Sequence, residues 1–123
     1  MKMRMLMLSF CFASWPVLAN QPTCVLPPPD GSDVEWTPAG LKGVITRTAK
    51  HQVDIRTPDG EIYSLRVSDS TWLSTAYGGG IDFNDLKPGQ HALVWLKGCA
   101  KPGSSDRAVI IQVCSLAADP CPE

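Results

Sequence analysis

Leu41 to Val67, LKGVITRTAKHQVDIRTPDGEIYSLRV, carries the pattern from which the fold is read. Side chains alternate between the two faces of a pleated strand, so hydrophobicity with a period of two separates a core face from a wet one. Val53 and Ile55 alternate with Asp54 and Arg56. Tyr63, Leu65 and Val67 alternate with Ser64 and Arg66, and Ile62 interrupts the polar face. Between the two runs lies Thr57-Pro58-Asp59-Gly60, where proline presets φ at the first turn position and glycine accepts a positive φ. The spacing predicts a hairpin of Gln52–Thr57 with Glu61–Val67, preceded by a strand over Leu41–Thr48. Gly43, inside that first strand, predicts a bulge or a sharp coil.

Upstream, Asn20 to Gly40 is rich in Pro, Asp and Ser, and Pro27-Pro28-Pro29 favours an extended polyproline path. It reads as an arm laid against the domain, with Val34-Glu35-Trp36 as a short edge strand. The first 19 residues read as a secretory signal peptide. Lys2 and Arg4 give a cationic start, Met5–Phe12 an apolar run too short to span a bilayer, and Val17-Leu18-Ala19 a small-residue cleavage site. Phe10 is too bulky before Cys11 for a lipoprotein site, so no membrane anchor is expected after cleavage. Cleavage takes Lys plus Arg from 11 to 9 against 12 Asp plus Glu, moving the net charge from -1 to about -3. With no basic run, this balance argues against nucleic acid and anionic membranes as partners.

Downstream, Asp69 to Lys87 reads as the cap, face and stop of a short helix. Asp69 or Ser70 caps it, Trp72, Leu73 and Ala76 share a face, and Gly78-Gly79-Gly80 ends it as a flexible crossing. The triple glycine lacks the spacing of a phosphate cradle. Asp82, Asn84 and Asp85 lack a calcium-loop frame and read as solvated carboxylates. His91–Lys97 and Ala108–Cys114 read as two further strands with apolar residues on both faces, joined by a polar loop. The tail, Ser115–Glu123, is too broken to be a strand.

The resulting order, three strands, a short helix and two strands, is that of the five-stranded OB barrel. Gly43-Val44-Ile45, Asp59-Gly60, Leu86-Lys87-Pro88-Gly89 and Val109-Ile110-Ile111 resemble the motifs of small bacterial exported OB-like domains. The resemblance covers Leu41 to Val113 and implies an all-β barrel domain over 41–114. Its motifs are structural, so it carries no site residue across. Four cysteines outlast the leader, Cys24, Cys99, Cys114 and Cys121, and an even count in an exported chain reads as two disulfides with three possible connectivities. The barrel implies which. Cys99 and Cys114 would lie about 25 to 30 Å apart at opposite ends of the last hairpin, beyond disulfide reach. The arm would meet the end of the fourth strand, so Cys24 pairs with Cys99 and Cys114 with Cys121. By loop entropy the long bridge stabilises by about 4 kcal/mol and the short one by about 2 to 3 kcal/mol.

For function, no serine sits in GxSxG, and His51 and His91 lie at a turn and at a strand start. A His-Asp-Ser arrangement is defined by geometry and stays open, but the expectation is no catalysis. With no CxxC and only two histidines, no metal or other cofactor is expected. The leading expectation is a binding module using the face of strands two and three. There Arg56 and Arg66 would clamp a carboxylate or phosphate, or else pair with Asp54 and Glu61, flanked by Lys50, His51 and Lys101–Arg107. The stacking aromatics of a nucleic-acid face are absent, since Tyr63 belongs to the apolar set. The alternative is an inhibitor or immunity-type protein that binds another exported protein through residues 70–84. Exposure decides between them: a buried Trp72 and Tyr77 would be structural, whereas a presented pair would bind a partner.

Overall fold

The computed structural model describes residues 24–28 and 34–121, so the leader expected over 1–19 lies outside the described residues. The sheet is built on β1 (Leu41–Ala49), the strand both of its halves share. Leu41–Val44 pair antiparallel with β5 (His91–Leu96), and Val44–Ala49 pair antiparallel with β2 (Gln52–Arg56). β3 (Ile62–Arg66) extends the β2 side through the expected hairpin, in which Gly60 has φ +91° and Thr57 and Glu61 are hydrogen-bonded across the turn. β6 (Ala108–Val113) pairs antiparallel with β5, and β4 (Trp72–Thr75) lies parallel to β6 at the other edge. The sheet order is β3-β2-β1-β5-β6-β4.

This all-β sheet corrects three expectations. It has six strands rather than five, it is open rather than closed into a barrel, and no α-helix occurs among the described residues. The expected helix is replaced by β4 and a single 3-10 turn at Phe83–Asp85. The physical reason is the apolar edge of β6: a strand on that edge satisfies its backbone and covers Ile111, whereas a helix of two turns would add little burial. Across the gap between β3 and β6 there is one parallel bridge, Arg66 to Arg107, with the Arg66 N–H donating to the Asp106 carbonyl at 2.6 Å.

Gly43 has a different role from the one expected. The register shift of β1 falls between Ile45 and Arg47, while a Cβ on Gly43 would lie 2.3 Å from the Arg56 carbonyl oxygen. Glycine there permits the close approach of β2 where β1 passes from one half of the sheet to the other. Val34-Glu35-Trp36 forms no strand; instead Val25 and Thr37 bond to each other, and Trp36 is half-exposed.

One face of the sheet holds the core, led by Ile45, Val53, Ile55, Leu65, Val94, Leu96, Ile111 and Val113. The two-sided hydrophobicity of β5 has its cause in the arm. Trp95 points away from the core cluster, yet it is 2 % exposed, and its indole N–H donates to the Thr37 carbonyl at 2.7 Å. Cys24 is bonded to Cys99, which ties the arm to the exit of β5, and Cys114 is bonded to Cys121. Two intrachain disulfides fit an oxidising compartment.

Candidate functional site

The crossover from β3 to β5 starts on a polar anchor. Thr71 accepts the Ser68 N–H and donates to the Ala108 carbonyl at 2.8 Å, which docks the chain on β6 before β4 begins. β4 then alternates: Leu73 packs on the core cluster while Trp72 points the other way, 48 % exposed. The triple glycine is a tight return rather than a flexible crossing. Gly78 has φ +92°, Thr75 donates to the Gly79 carbonyl, and Ile81 donates to the Leu73 carbonyl, so the returning chain covers the outer edge of β4. Tyr77 sits at the tip of this return, 81 % exposed. Thus Trp72 and Tyr77 are both presented on hydrogen-bonded backbone.

Register places Trp72 in a row. Ile110 of β6 is partnered by Trp72 on one side and by Trp95 on the other, and paired residues share a face. Neither Ile110 nor Trp95 belongs to the core cluster, so Trp95, Ile110 and Trp72 form a second apolar strip on the outer face. The arm covers the strip at Trp95 and leaves it open at Trp72. Beside the open end, with Trp72 in its lining, is a groove of about 930 Å³ whose apolar residues are Val67, Leu73, Ile81 and Phe83 and whose charged residues are Lys50, Asp69, Asp82 and Asp85. It occupies the place where a capping helix was expected. Asp85 holds the 3-10 turn by accepting the Asp82 N–H, and buried Gln90 donates to the Asp85 and Leu116 carbonyls while accepting the Lys87 N–H. Asp82, Asn84 and Asp85 thus shape a turn, and no group of three or more potential metal-ligating His, Cys, Asp or Glu occurs among the described residues.

The arginine clamp does not form. In the β2–β3 ladder Arg56 faces Ile62 and Arg66 faces Gln52, so the two sit at opposite ends of the hairpin, about 13 Å apart along the strands. Arg66 Nε meets Asp106 Oδ2 at 3.0 Å, not Asp54 or Glu61, and Arg56 shares a small pocket with Lys42 and His91. Asp54 is held below its ordinary pKa chiefly by the Gln52 amide, then by the Ser64 hydroxyl and the field of Arg47. His51 occupies the β1–β2 turn with φ +58°, its carbonyl accepting the Val67 N–H, and lies at one end of the groove. His91 opens β5 opposite Val44, and among the described residues neither imidazole is hydrogen-bonded to a serine or carboxylate side chain. Sequence reasoning missed Ile110 and Trp95 as parts of the outer strip; their signal is the run of consecutive apolar residues in β5 and β6, which a one-sided sheet does not require.

No family model, curated protein or solved structure matches this chain. Among the described residues no helix is long and apolar enough to cross a membrane.

Proposed function

We propose that this chain is an exported, non-catalytic binding domain of OB-like build, which seats a partner protein on the open end of its outer apolar strip. The observation that carries the reading is Trp72, half-exposed at the end of a strip whose other end is already sealed by the arm. A tryptophan in that setting suits an interface anchor, since large aromatics in partly desolvated surroundings dominate binding energy. Tyr77 adds a second aromatic on the adjoining return. The groove carries Asp69, Asp82 and Asp85 against the single cation Lys50, a net negative lining that favours a partner flanking its apolar anchor with cations. This is the inhibitor or immunity-type mode of action, in which a small stapled domain occludes another exported protein.

Two things support the OB-like build. The order β3-β2-β1-β5-β6 follows that of an OB sheet, and β1 is shared between its two halves. β4 is then an addition at the outer edge. Export is supported by Lys2, Arg4 and Val17-Leu18-Ala19 at the start of the chain, together with the disulfides.

The test is capture of a partner from the exported fraction with the oxidised protein, followed by titration of that partner against variants. Trp72→Ala is expected to weaken binding at least about thirtyfold, a hot-spot loss, and Tyr77→Ala less. Full affinity in Trp72→Ala, with loss in Arg56→Ala/Arg66→Ala, would return the function to the β2–β3 face.

A further inference from the structure

Arg66, Arg107 and Lys97 come together through backbone pairing, although they lie far apart in sequence. Arg66 and Arg107 are partners in the parallel bridge, and the Lys97 N–H donates to the Arg107 carbonyl at 3.0 Å. Their neighbours Leu65, Val67, Ala108 and Leu96 are all buried in the core, while the three cations are exposed and line one pocket. Adjacent strands lie about 4.8 Å apart, which puts the three Cα atoms within about 10 Å. Like charges in directly opposed positions repel. Among the described residues the only carboxylate that meets them is Asp106, which takes Arg66 Nε and leaves Arg107 and Lys97 unpaired. This concentration of positive charge occurs on a chain whose net charge is -1.

The row borders a pocket of about 520 Å³. Its walls add His51 and the hydroxyls of Ser68 and Ser70, and its floor is Val67, Ala108 and Val109. Ser68 Oγ and Ser70 Oγ are hydrogen-bonded to each other at 2.7 Å, and both residues line the pocket with the cations. We infer that this pocket binds a tetrahedral oxyanion, a phosphate or sulfate group, held by Arg107, Lys97 and the free edge of Arg66. Cations from the end of β3, the turn after β5 and the residue before β6, with two hydroxyls in the same lining, provide donors in several directions. A planar carboxylate is satisfied by one guanidinium fork, whereas a tetrahedral group uses the whole set. The apolar floor leaves room for the body of a small ester. The inference is independent of the partner reading at Trp72, because it rests on other residues and a different ligand chemistry.

The experiment titrates the oxidised protein with sodium phosphate, sodium sulfate, butyl phosphate and acetate at constant ionic strength, following amide shifts by NMR. Saturable shifts from phosphate or sulfate, centred on 66–70 and 107–109, are expected, with acetate binding at least about tenfold more weakly. Tighter binding of butyl phosphate identifies the group as part of an ester; equal binding identifies the free ion. Arg107→Ala is expected to weaken phosphate at least about tenfold, and Lys97→Ala somewhat less. Arg56→Ala removes the same charge at a distant point, so it should leave the affinity nearly unchanged. Unsaturable shifts spread over all cations, acetate binding equal to phosphate, or equal losses in Arg107→Ala and Arg56→Ala would each overturn the inference. Thermal unfolding of each variant shows that the fold is retained, and Lys97→Gln supplies the reading if Arg107→Ala does not fold.

Discussion

Residues 41–67 and 68–90 are segments of similar length that the chain stabilises in opposite ways. The first is a continuous antiparallel meander whose alternate side chains enter the core, including Ile45, Val53, Ile55 and Leu65. The second has one four-residue strand, paired parallel to a distant partner, and adds the buried polar anchors Thr71 and Gln90 to the packing of Leu73, Ile81, Phe83 and Leu86 on the core. Local pairing with period-two burial leaves Ile62 as the one large apolar side chain of the meander that is exposed, whereas the crossover leaves two aromatics, Trp72 and Tyr77, outside. The contrast teaches that the scaffold and the recognition surface are different parts of the chain, and apolar truncation in each should behave differently. Ile55→Ala is expected to destabilise the oxidised protein by about 2–5 kcal/mol in urea unfolding. Trp72→Ala should cost less than about 1 kcal/mol. Equal losses would make Trp72 a structural residue and remove the contrast.

The same comparison can be made with glycines. Alanine at Gly43 would place Cβ 2.3 Å from a backbone oxygen of β2 and 2.7 Å from Ile55, both fixed by the core. Gly43→Ala is therefore expected to cost about 3 kcal/mol, the upper part of the range for overpacking. At Gly79 the nearest atom to an added Cβ is the Thr75 hydroxyl at 3.8 Å, so Gly79→Ala should stay within about 0.5 kcal/mol. Unfolding midpoints that reverse this order would show the return after β4 to be the tighter of the two.

The meander was readable because each step of its pattern is local. Pro58 and Gly60 fix the turn, the turn fixes the register, and the register fixes the faces. That logic also separates Arg56 from Arg66, since a turn over 57–60 sets Arg56 opposite Ile62 and Arg66 opposite Gln52. Placing both arginines on one face without counting the register produced the expected clamp. β4 was not readable: Trp72, Leu73 and Ala76 recur at helical spacing, and four residues are too few to display a strand period. What makes it a strand is the edge of β6, nearly forty residues on, and no local signal reports it. The outer strip and the cationic row were hidden for the same reason, because each is assembled across strands distant in sequence.

A smaller effect sharpens the polar half of the comparison. Gln90 is 2 % exposed and completes three backbone groups, the Lys87 N–H and the Asp85 and Leu116 carbonyls. Gln90→Leu keeps the volume and strands those groups, at an expected cost of about 2 kcal/mol. Hydrogen exchange should show protection falling at Asp85–Lys87 while Val53 and Leu65 change only with global stability. Uniform loss across both segments would show that the crossover does not open independently.

The smallest expected effect lies in the meander and concerns pH. Asp54 accepts a hydrogen bond from the Gln52 amide at 3.0 Å, with the Ser64 hydroxyl and Arg47 adding to the same stabilisation of the carboxylate. Its folded pKa is thus lower than in the unfolded chain, so the unfolded state binds the proton more readily. The contribution is present above the ordinary carboxylate value, near pH 4, and is lost as pH falls through the lower folded value. Because the group is close to solvent, the contribution is under about 1 kcal/mol. Asp54→Asn should lower stability slightly at neutral pH and converge with the parent protein once the pH has fallen through the lowered folded value, flattening the acid limb. A variant curve parallel to the parent throughout would place the acid sensitivity elsewhere in the chain, Asp59 being the next candidate, since the Thr57 hydroxyl and the Glu61 N–H also hold its carboxylate below the ordinary range.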